Sequence, residues 1–268
     1  MNNLPKIRTL WIGSDLSRLE YVCLNSFVKQ GHEVYLYVYD EVGNIPPGVI
    51  VVDANSIINK DEIFTYGGIT GKGKGSYAGF ANYFRYKMLK MYDNTYWVDA
   101  DVICLKPFVI NSPVDVCYES ELFVNNAVVG VRHANHPLFE ALVYYCEKPF
   151  EIKKWDDYKQ VIKKIYGRYI GRSSFEYLPW GTTGPKALTG FSRQFNILPC
   201  HSDKYYPIAS DQWKDIFFHS GISLDCLSES RGLHLWNEQL RRDGIDKNTV
   251  FDKNSMYERL ISEFGLDS

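Results

Sequence analysis

The stretch Tyr96-Trp97-Val98-Asp99-Ala100-Asp101-Val102-Ile103 begins as an apolar strand stub and then turns acidic twice within three residues. On an extended backbone, residues two apart share a side, with roughly 6 to 7 Å between their alpha carbons. Two like charges so close call for a cation. Hard carboxylate oxygens suit magnesium or manganese, which keep coordination positions free for phosphate oxygens. The competing reading is an ordinary solvated strand end, so the residues around the triplet decide between the two.

Upstream, residues 7–12 form a short apolar run that closes on Gly13-Ser14-Asp15, after which Leu16, Leu19, Cys23, Leu24 and Phe27 recur at helical spacing as far as Gly31. The runs Val34-Tyr35-Leu36-Tyr37-Val38-Tyr39 and Val49-Ile50-Val51-Val52 read as buried strands, each followed by an aspartate. Strands that alternate with helices imply an α/β fold with a mostly parallel central sheet, and such sheets bind ligands outside the carboxyl ends of their strands. That is where the acidic triplet falls. Residues 66–79 hold six glycines and read as a mobile loop. A helix over about residues 80–92, with Phe84, Met88 and Met91 on one side, leads through Asp93-Asn94-Thr95 into the acidic strand. The second half is richer in loops, with amphipathic helices predicted near residues 157–166 and 255–264. Neither an internal repeat nor a linker interrupts the chain, so residues 1–268 read as a single domain.

The 268 residues are 45% hydrophobic, enough for one sizeable core. Thirty basic against 32 acidic side chains leave a net charge of -2, which gives no field that would draw nucleic acid. Twenty tyrosines and six tryptophans offer stacking faces for bases and sugars as well as core volume. The six cysteines form no CxxC pair and suit reduced, buried thiols better than a disulfide scaffold or a zinc site. No leader pattern and no window of about 18 apolar residues is present, so the expectation is a cytoplasmic protein without a transmembrane segment. Peripheral contact with a membrane is compatible with that expectation.

Phe80-Ala81-Asn82-Tyr83-Phe84-Arg85-Tyr86-Lys87-Met88-Leu89, followed by Trp97-Val98-Asp99-Ala100-Asp101-Val102-Ile103-Cys104-Leu105-Lys106-Pro107-Phe108, resembles the sugar-binding region of DXD-containing glycosyltransferases. That superfamily includes the alpha-1,4-glycosyltransferases, yeast-type mannosyltransferases and the clostridial glucosylating toxins. The similarity runs on in order through Asn125-Asn126-Ala127-Val128-Val129-Gly130, Trp180-Gly181-Thr182-Thr183-Gly184-Pro185, Tyr205-Tyr206-Pro207-Ile208 and Leu233-His234-Leu235-Trp236-Asn237. Leu10-Trp11-Ile12-Gly13 is similar to the family's first strand and nucleotide loop.

The resemblance implies a GT-A fold. About residues 1–110 would bind the nucleotide-sugar, and about 111–268 would form a loop-rich acceptor region carrying a late metal ligand. It implies Asp99, Asp101 and His234 as ligands of manganese, or of magnesium, and manganese is preferred because neutral imidazole binds it more readily. Arg85 would contact the donor sugar or its diphosphate, with Asn126 and Thr183 beside it as further catalytic residues. Trp11, Gly13, Asn82, Asp99 and Trp236 would complete the nucleotide-sugar site, Trp11 next to the base and Trp236 next to the diphosphate. Many relatives carry Asp where this chain has Asn82, and a Gly-Gly turn where it has Asp93-Asn94-Thr95. These departures bear on donor identity. The implied reaction moves a sugar, with retention, from a nucleotide-sugar, expected to be a UDP-sugar, to a glycan or lipid-linked glycan such as a lipopolysaccharide or capsule precursor. A protein acceptor, or a binding module without turnover, is the alternative.

Other readings fail on specific residues. Gly68-Ile69-Thr70-Gly71-Lys72-Gly73-Lys74 fits a phosphate-binding loop, but Gly75 stands where the metal-binding Ser or Thr belongs. The loop reads instead as a flap over the donor. Asp99 and Asp101 sit too close on one strand to flank a bond as hydrolase carboxylates do. His133-Ala134-Asn135-His136 lacks further zinc ligands and precedes Pro137.

Overall fold

The computed structural model describes residues 4–67, 74–169 and 180–266. Its six-stranded sheet uses β1 (Lys6–Trp11), β2 (Val34–Val38), β3 (Val49–Asp53), β4 (Thr95–Val98), β6 (Val114–Tyr118) and β7 (Val124–Val131), in the order β3-β2-β1-β4-β7-β6. The neighbours β3, β2, β1 and β4 run parallel, and β7 is antiparallel to both β4 and β6. This is the α/β architecture with a mostly parallel sheet that the sequence implies. A second, two-stranded sheet pairs β5 (Val102–Cys104) with β8 (Gly232–His234).

Alternation along the strands feeds two apolar layers. Val34, Leu36, Tyr96 and Val98 face one cluster, where α1 (Arg18–Lys29) and α8 (Met256–Phe264) pack. Tyr37, Trp97, Val129 and Val131 face the other, built from α2 (Ala78–Leu89), α3 (Pro137–Glu147) and α5 (Pro185–Gln194). The remaining helices are α4 (Tyr158–Tyr169), α6 (Lys214–Phe217) and α7 (Asn237–Arg242). No helix among the described residues is long and apolar enough to cross a membrane.

Successive strands extend the sheet from β1 outward through β2 to β3, and the chain then returns to β1's other side with β4. That reversal opens a crevice at the carboxyl ends of β1 and β4, where open α/β sheets bind ligands. Trp11 ends one of these strands, and Asp99 follows the other.

Three local expectations are corrected. β3 is an edge strand, with Ile50 and Val51 exposed instead of buried, because among the described residues it has a neighbour on one side only. Helix α2 ends at Leu89, and Met91 beyond it is solvent-exposed. The triplet is also not a continuous strand: β4 stops at Val98, Ala100 and Asp101 turn, and β5 leaves the main sheet to pair with β8. Asp99 and Asp101 therefore point to different partners. Residues 68–73 of the glycine-rich loop, and with them most of its phosphate-loop pattern, lie outside the described residues, and Ala78 and Gly79 belong to the first turn of α2. Of the cysteines, Cys23, Cys104, Cys117 and Cys146 are buried, while Cys200 is half-buried and Cys226 exposed.

Candidate active site

A cavity of about 550 Å³ opens at the carboxyl ends of β1 and β4. Trp11, Asn82, Arg85, Asp99, Asp101, Asn126, His234 and Trp236 all line it. Its size is that of a small-molecule site.

Arg85 organises one wall. Its guanidinium donates through Nη1 to Asn82 Oδ1 (2.9 Å) and through Nη2 to Asp99 Oδ1 (2.6 Å), and it lies 4.7 Å from the centre of the Trp97 ring. Trp97 Nε1 donates to the same Asp99 oxygen at 2.6 Å. Asn82 Oδ1 also accepts from Asn126 Nδ2 at 2.7 Å, and Asn82 Nδ2 donates to Thr183 Oγ1 at 3.3 Å. A planar, permanently charged fork can hold an amide and a carboxylate together in this way, whereas a lysine ammonium cannot. The strand pairing explains why Asn126 is present: Asp99 N donates to Ala127 O at 2.8 Å, which continues the β4–β7 ladder past Val98. Thr183 does not line the cavity. It is buried behind Asn82, so it touches the site through that amide.

The opposite wall is made by the small sheet. Val102 pairs with His234, and Leu235 N donates to the main-chain oxygen of Asp101 at 2.8 Å. This register sets His234 Nε2 3.2 Å from Asp101 Oδ2, which also accepts from Asn237 N at 3.0 Å. Trp236 adopts a left-handed backbone (φ 57°), its ring centre 4.1 Å from that of His234, and its indole N–H donates to Ile208 O at 2.9 Å. Tyr206 packs edge-on against His234 while its hydroxyl accepts from Val128 N at 3.1 Å. The Tyr205-Tyr206-Pro207-Ile208 and His234-Leu235-Trp236 segments thus brace one another.

The charges are strongly coupled. Burial raises the Asp99 carboxyl above its ordinary range, and the attraction of Arg85 offsets this only in part. Burial also pushes Asp101 upward, but the charge and hydrogen bond of His234 prevail and hold it below the usual carboxylate value. For His234 burial acts downward, and the Asp101 carboxylate more than offsets it, leaving the imidazole raised.

A divalent ion fits this wall on the spacing of two of its side chains. Ligands at right angles around a small octahedral ion stand about 3 Å apart, given bonds of about 2.1 Å, close to the separation of Asp101 Oδ2 from His234 Nε2. Separately, among the described residues, three buried polar atoms of the lining residues, His234 Nδ1, Arg85 Nε and Trp11 Nε1, lack a hydrogen-bond partner. Buried polar groups without partners are rare and costly, and because the Arg85 and Trp11 atoms are N–H donors they call for oxygen acceptors of a bound molecule and not for a cation. Asp99, by contrast, has one oxygen committed to Arg85 and Trp97 and does not converge with Asp101 and His234. Among the described residues, the metal-ligating trio that does converge, within 4.8 Å, is Asp115, Cys117 and Cys200, away from the cavity. There Lys204 sets its ammonium on Asp115 and 3.7 Å from Cys200 Sγ, so a side chain already supplies the cation.

Gly13 does not line the cavity. A Cβ there would meet Trp11 Nε1 at 3.1 Å, so its lack of a side chain gives the indole its place. Sequence reasoning gave no role to Glu119, which lines the cavity and whose carboxylate accepts from Asn125 Nδ2 at 2.9 Å, or to the aromatic pair Tyr66 and Trp180, ring centres 5.1 Å apart, although Trp180 heads one of the quoted motifs. No spacing rule flags these residues. They stand out only once the chain brings them to one rim.

A family model for the alpha 1,4-glycosyltransferase conserved region matches residues 131–265, half of the chain, including His234 and Trp236. A comparison with curated protein sequences finds none that matches. Among solved structures, the chain is similar to the PaToxG glycosyltransferase at 15% identity, over 72% of this chain and 70% of that one, with a TM-score of 0.45. It is similar also to the WbbM bifunctional glycosyltransferase at 11% identity, over 98% of this chain and 52% of that one, with a TM-score of 0.39. Likenesses this loose say nothing about substrate. The family match covers β8 and the helices around it, and on that ground the chain belongs to the alpha 1,4-glycosyltransferase family and is a glycosyltransferase.

Proposed function

We propose that the protein is a metal-dependent, retaining glycosyltransferase that moves a sugar from a UDP-sugar to a glycan acceptor such as a lipopolysaccharide or capsule precursor. The observation that carries this reading is the pairing of Asp101 with His234 across one cavity from the Arg85–Asn82–Asp99 network. Asp101 and His234 would hold a manganese or magnesium ion, with Asp99 at its flank toward the ribose. Such an ion, when bound, neutralises charge on a departing diphosphate as a Lewis acid.

The chain's own residues do the rest. Arg85 donates to the donor sugar or its diphosphate, and its charge is already oriented by Asn82 and Asp99, so little reorganisation accompanies departure of the leaving group. Asn82 and Asn126 hold sugar hydroxyls, and Thr183 fixes the amide of Asn82. Trp11 offers its face to the base, with Gly13 leaving room for the indole, and Trp236 lies beside the diphosphate. Retention follows from attack on the face the leaving group vacates, with a departing phosphate oxygen taking the acceptor proton. No protein base is required.

Screening nucleotide-sugars for manganese-dependent hydrolysis and for thermal stabilisation tests the reading. A ligand present at about 100 times its Kd stabilises by about 2.7 kcal/mol, a readable shift in Tm. Release of a nucleoside diphosphate from a UDP-sugar, lost on chelation, is the expected result. Binding without release would indicate a module that lacks turnover, and release that survives chelation would overturn the metal role.

A further inference from the structure

Helix α4 is built inside out. Its sequence, Tyr158-Lys159-Gln160-Val161-Ile162-Lys163-Lys164-Ile165-Tyr166-Gly167-Arg168-Tyr169, turns Gln160, Lys164 and Gly167 into the protein. Lys164 is fully buried and donates to Asp156 Oδ2 (2.6 Å), Tyr145 Oη (2.7 Å) and Glu151 O (2.8 Å). The larger apolar and aromatic side chains, Tyr158, Ile162, Ile165, Tyr166 and Tyr169, face outward with exposures from 39% to 88%. At about 100° per residue the three buried positions fall within about 60°, and the five exposed ones within about 100° centred half a turn away. An ordinary surface helix does the reverse.

The charge pattern beside the stripe identifies what it fits. Lys159 and Lys163 flank one side of it and Arg168 the other, all exposed, and the helix contains no acidic residue. An apolar and tyrosine stripe flanked by cations is the pattern of a helix that lies in the headgroup boundary of an anionic bilayer. A protein partner covering five such side chains would not by itself require basic residues on both flanks.

We infer that α4 docks the enzyme on a membrane surface rich in anionic phospholipid. Its place in the fold makes the docking useful. Asp157, just before the helix, pairs with Lys186 at 3.7 Å, and Pro185 beside that lysine lines the cavity. The start of α4 therefore lies near the cavity's rim, and an acceptor anchored in the docked membrane would present its glycan there. That last step rests on the acceptor proposed above, whereas the docking does not.

Cosedimentation with vesicles tests the docking without reading activity. The protein should pellet with phosphatidylcholine vesicles that carry about 30 mol% phosphatidylglycerol, stay in solution with pure phosphatidylcholine, and be released as salt is raised. Lys159→Gln with Lys163→Gln should weaken partitioning about 30-fold, and Ile162→Asp with Tyr166→Asp should abolish it. Both double variants should keep their Tm and their hydrolysis of soluble donor. If the aspartate pair fails to fold, the glutamine pair and the salt dependence carry the test. The inference is overturned if wild-type protein ignores anionic vesicles at low salt, or if the glutamine pair binds them like wild type. It is overturned equally if sedimentation velocity shows a dimer that the aspartate pair splits, since a second copy would then cover the stripe.

Discussion

Asp101 Oδ2 lies 3.2 Å from Nε2 of His234, and the two residues reach each other because Val102 and His234 sit opposite in the β5–β8 pair. The sheet is short, but it decides where the acidic triplet faces. Asp99 stays with the main sheet and with Arg85, and Asp101 turns to the imidazole.

Asp101→Asn should therefore remove the metal-dependent activity and leave the fold. The amide keeps the shape and can still accept from Asn237 N, while the negative charge facing His234 is gone. Loss of a charge that acts on the departing diphosphate is expected to cost about 10²–10³-fold in kcat, or about 3–4 kcal/mol. Turnover by the variant within a few-fold of wild type, with an unchanged response to chelation, would refute the assignment.

Arg85→Lys keeps the charge and should still fail. One ammonium cannot reproduce the planar donation to Asn82 Oδ1 and Asp99 Oδ1, so one of these buried acceptors loses its partner. Stability should drop by about 1–3 kcal/mol and kcat by about 10²-fold. The split matters: calorimetry that showed lost stability with normal kcat would make Arg85 a structural residue only.

Gly13→Ala probes the nucleotide end. The new methyl would press on the Trp11 indole nitrogen at 3.1 Å, tighter than ordinary packing, and the ring must give way by a few tenths of an ångström. The expected result is a raised donor KM, by about 10-fold if about 1.4 kcal/mol of stacking is lost, with kcat nearly unchanged. A variant with wild-type KM would mean that the base does not rest on Trp11.

Much of this was legible beforehand. The strand-helix-strand order of residues 7–53 and the α/β class follow from local periodicity, which short segments encode, while Arg85, Asp99, Asp101 and His234 were named through the resemblance of ordered motifs and not through periodicity. What was not legible depends on distant partners. Asn237 N bonds Asp101 across 136 positions, and nothing in the triplet announces that the chain will turn there. The run Val49-Ile50-Val51-Val52 has the composition of a central strand, and it is an edge because, among the described residues, no strand pairs beyond it. Periodicity predicted an amphipathic α4 but not which face turns inward, since that was settled by Asp156 and Glu151 waiting for Lys164. Asp115, Cys117 and Cys200 likewise meet only in the folded chain.

His32 should make stability depend on pH. Its Nε2 accepts from Phe108 N at 2.9 Å, which leaves Nδ1 to donate to Pro5 O at 2.8 Å, an arrangement only the neutral ring allows. Burial lowers its pKa below the ordinary 6.5, with the Pro5 contact opposing only in part. The unfolded chain thus takes up a proton at a pH where the folded one does not. The stabilisation is complete above about 6.5 and is lost as pH falls from there through the folded value. Tm measured across that range should fall in the wild type, and the fall should be smaller in His32→Asn, which starts from a lower Tm. Parallel curves for the two proteins would show that His32 is not the titrating group.

Lys164 and Asp156 offer the strictest test of the inside-out helix. Both side chains are buried, the ammonium completely, and their 2.6 Å contact is reinforced by Tyr145 Oη and Glu151 O. Lys164→Met would fill the space but strand a carboxylate in the interior, which typically costs about 3–5 kcal/mol. Adding Asp156→Asn removes the stranded charge and should restore a large part of that loss, since the penalty belongs to the unpaired ion and not to the missing attraction. Chemical denaturation of the two single variants and the double one completes the cycle. Additive losses would mean that the pair is not coupled, and that the polar face of α4 is not what holds the helix with its apolar stripe outward.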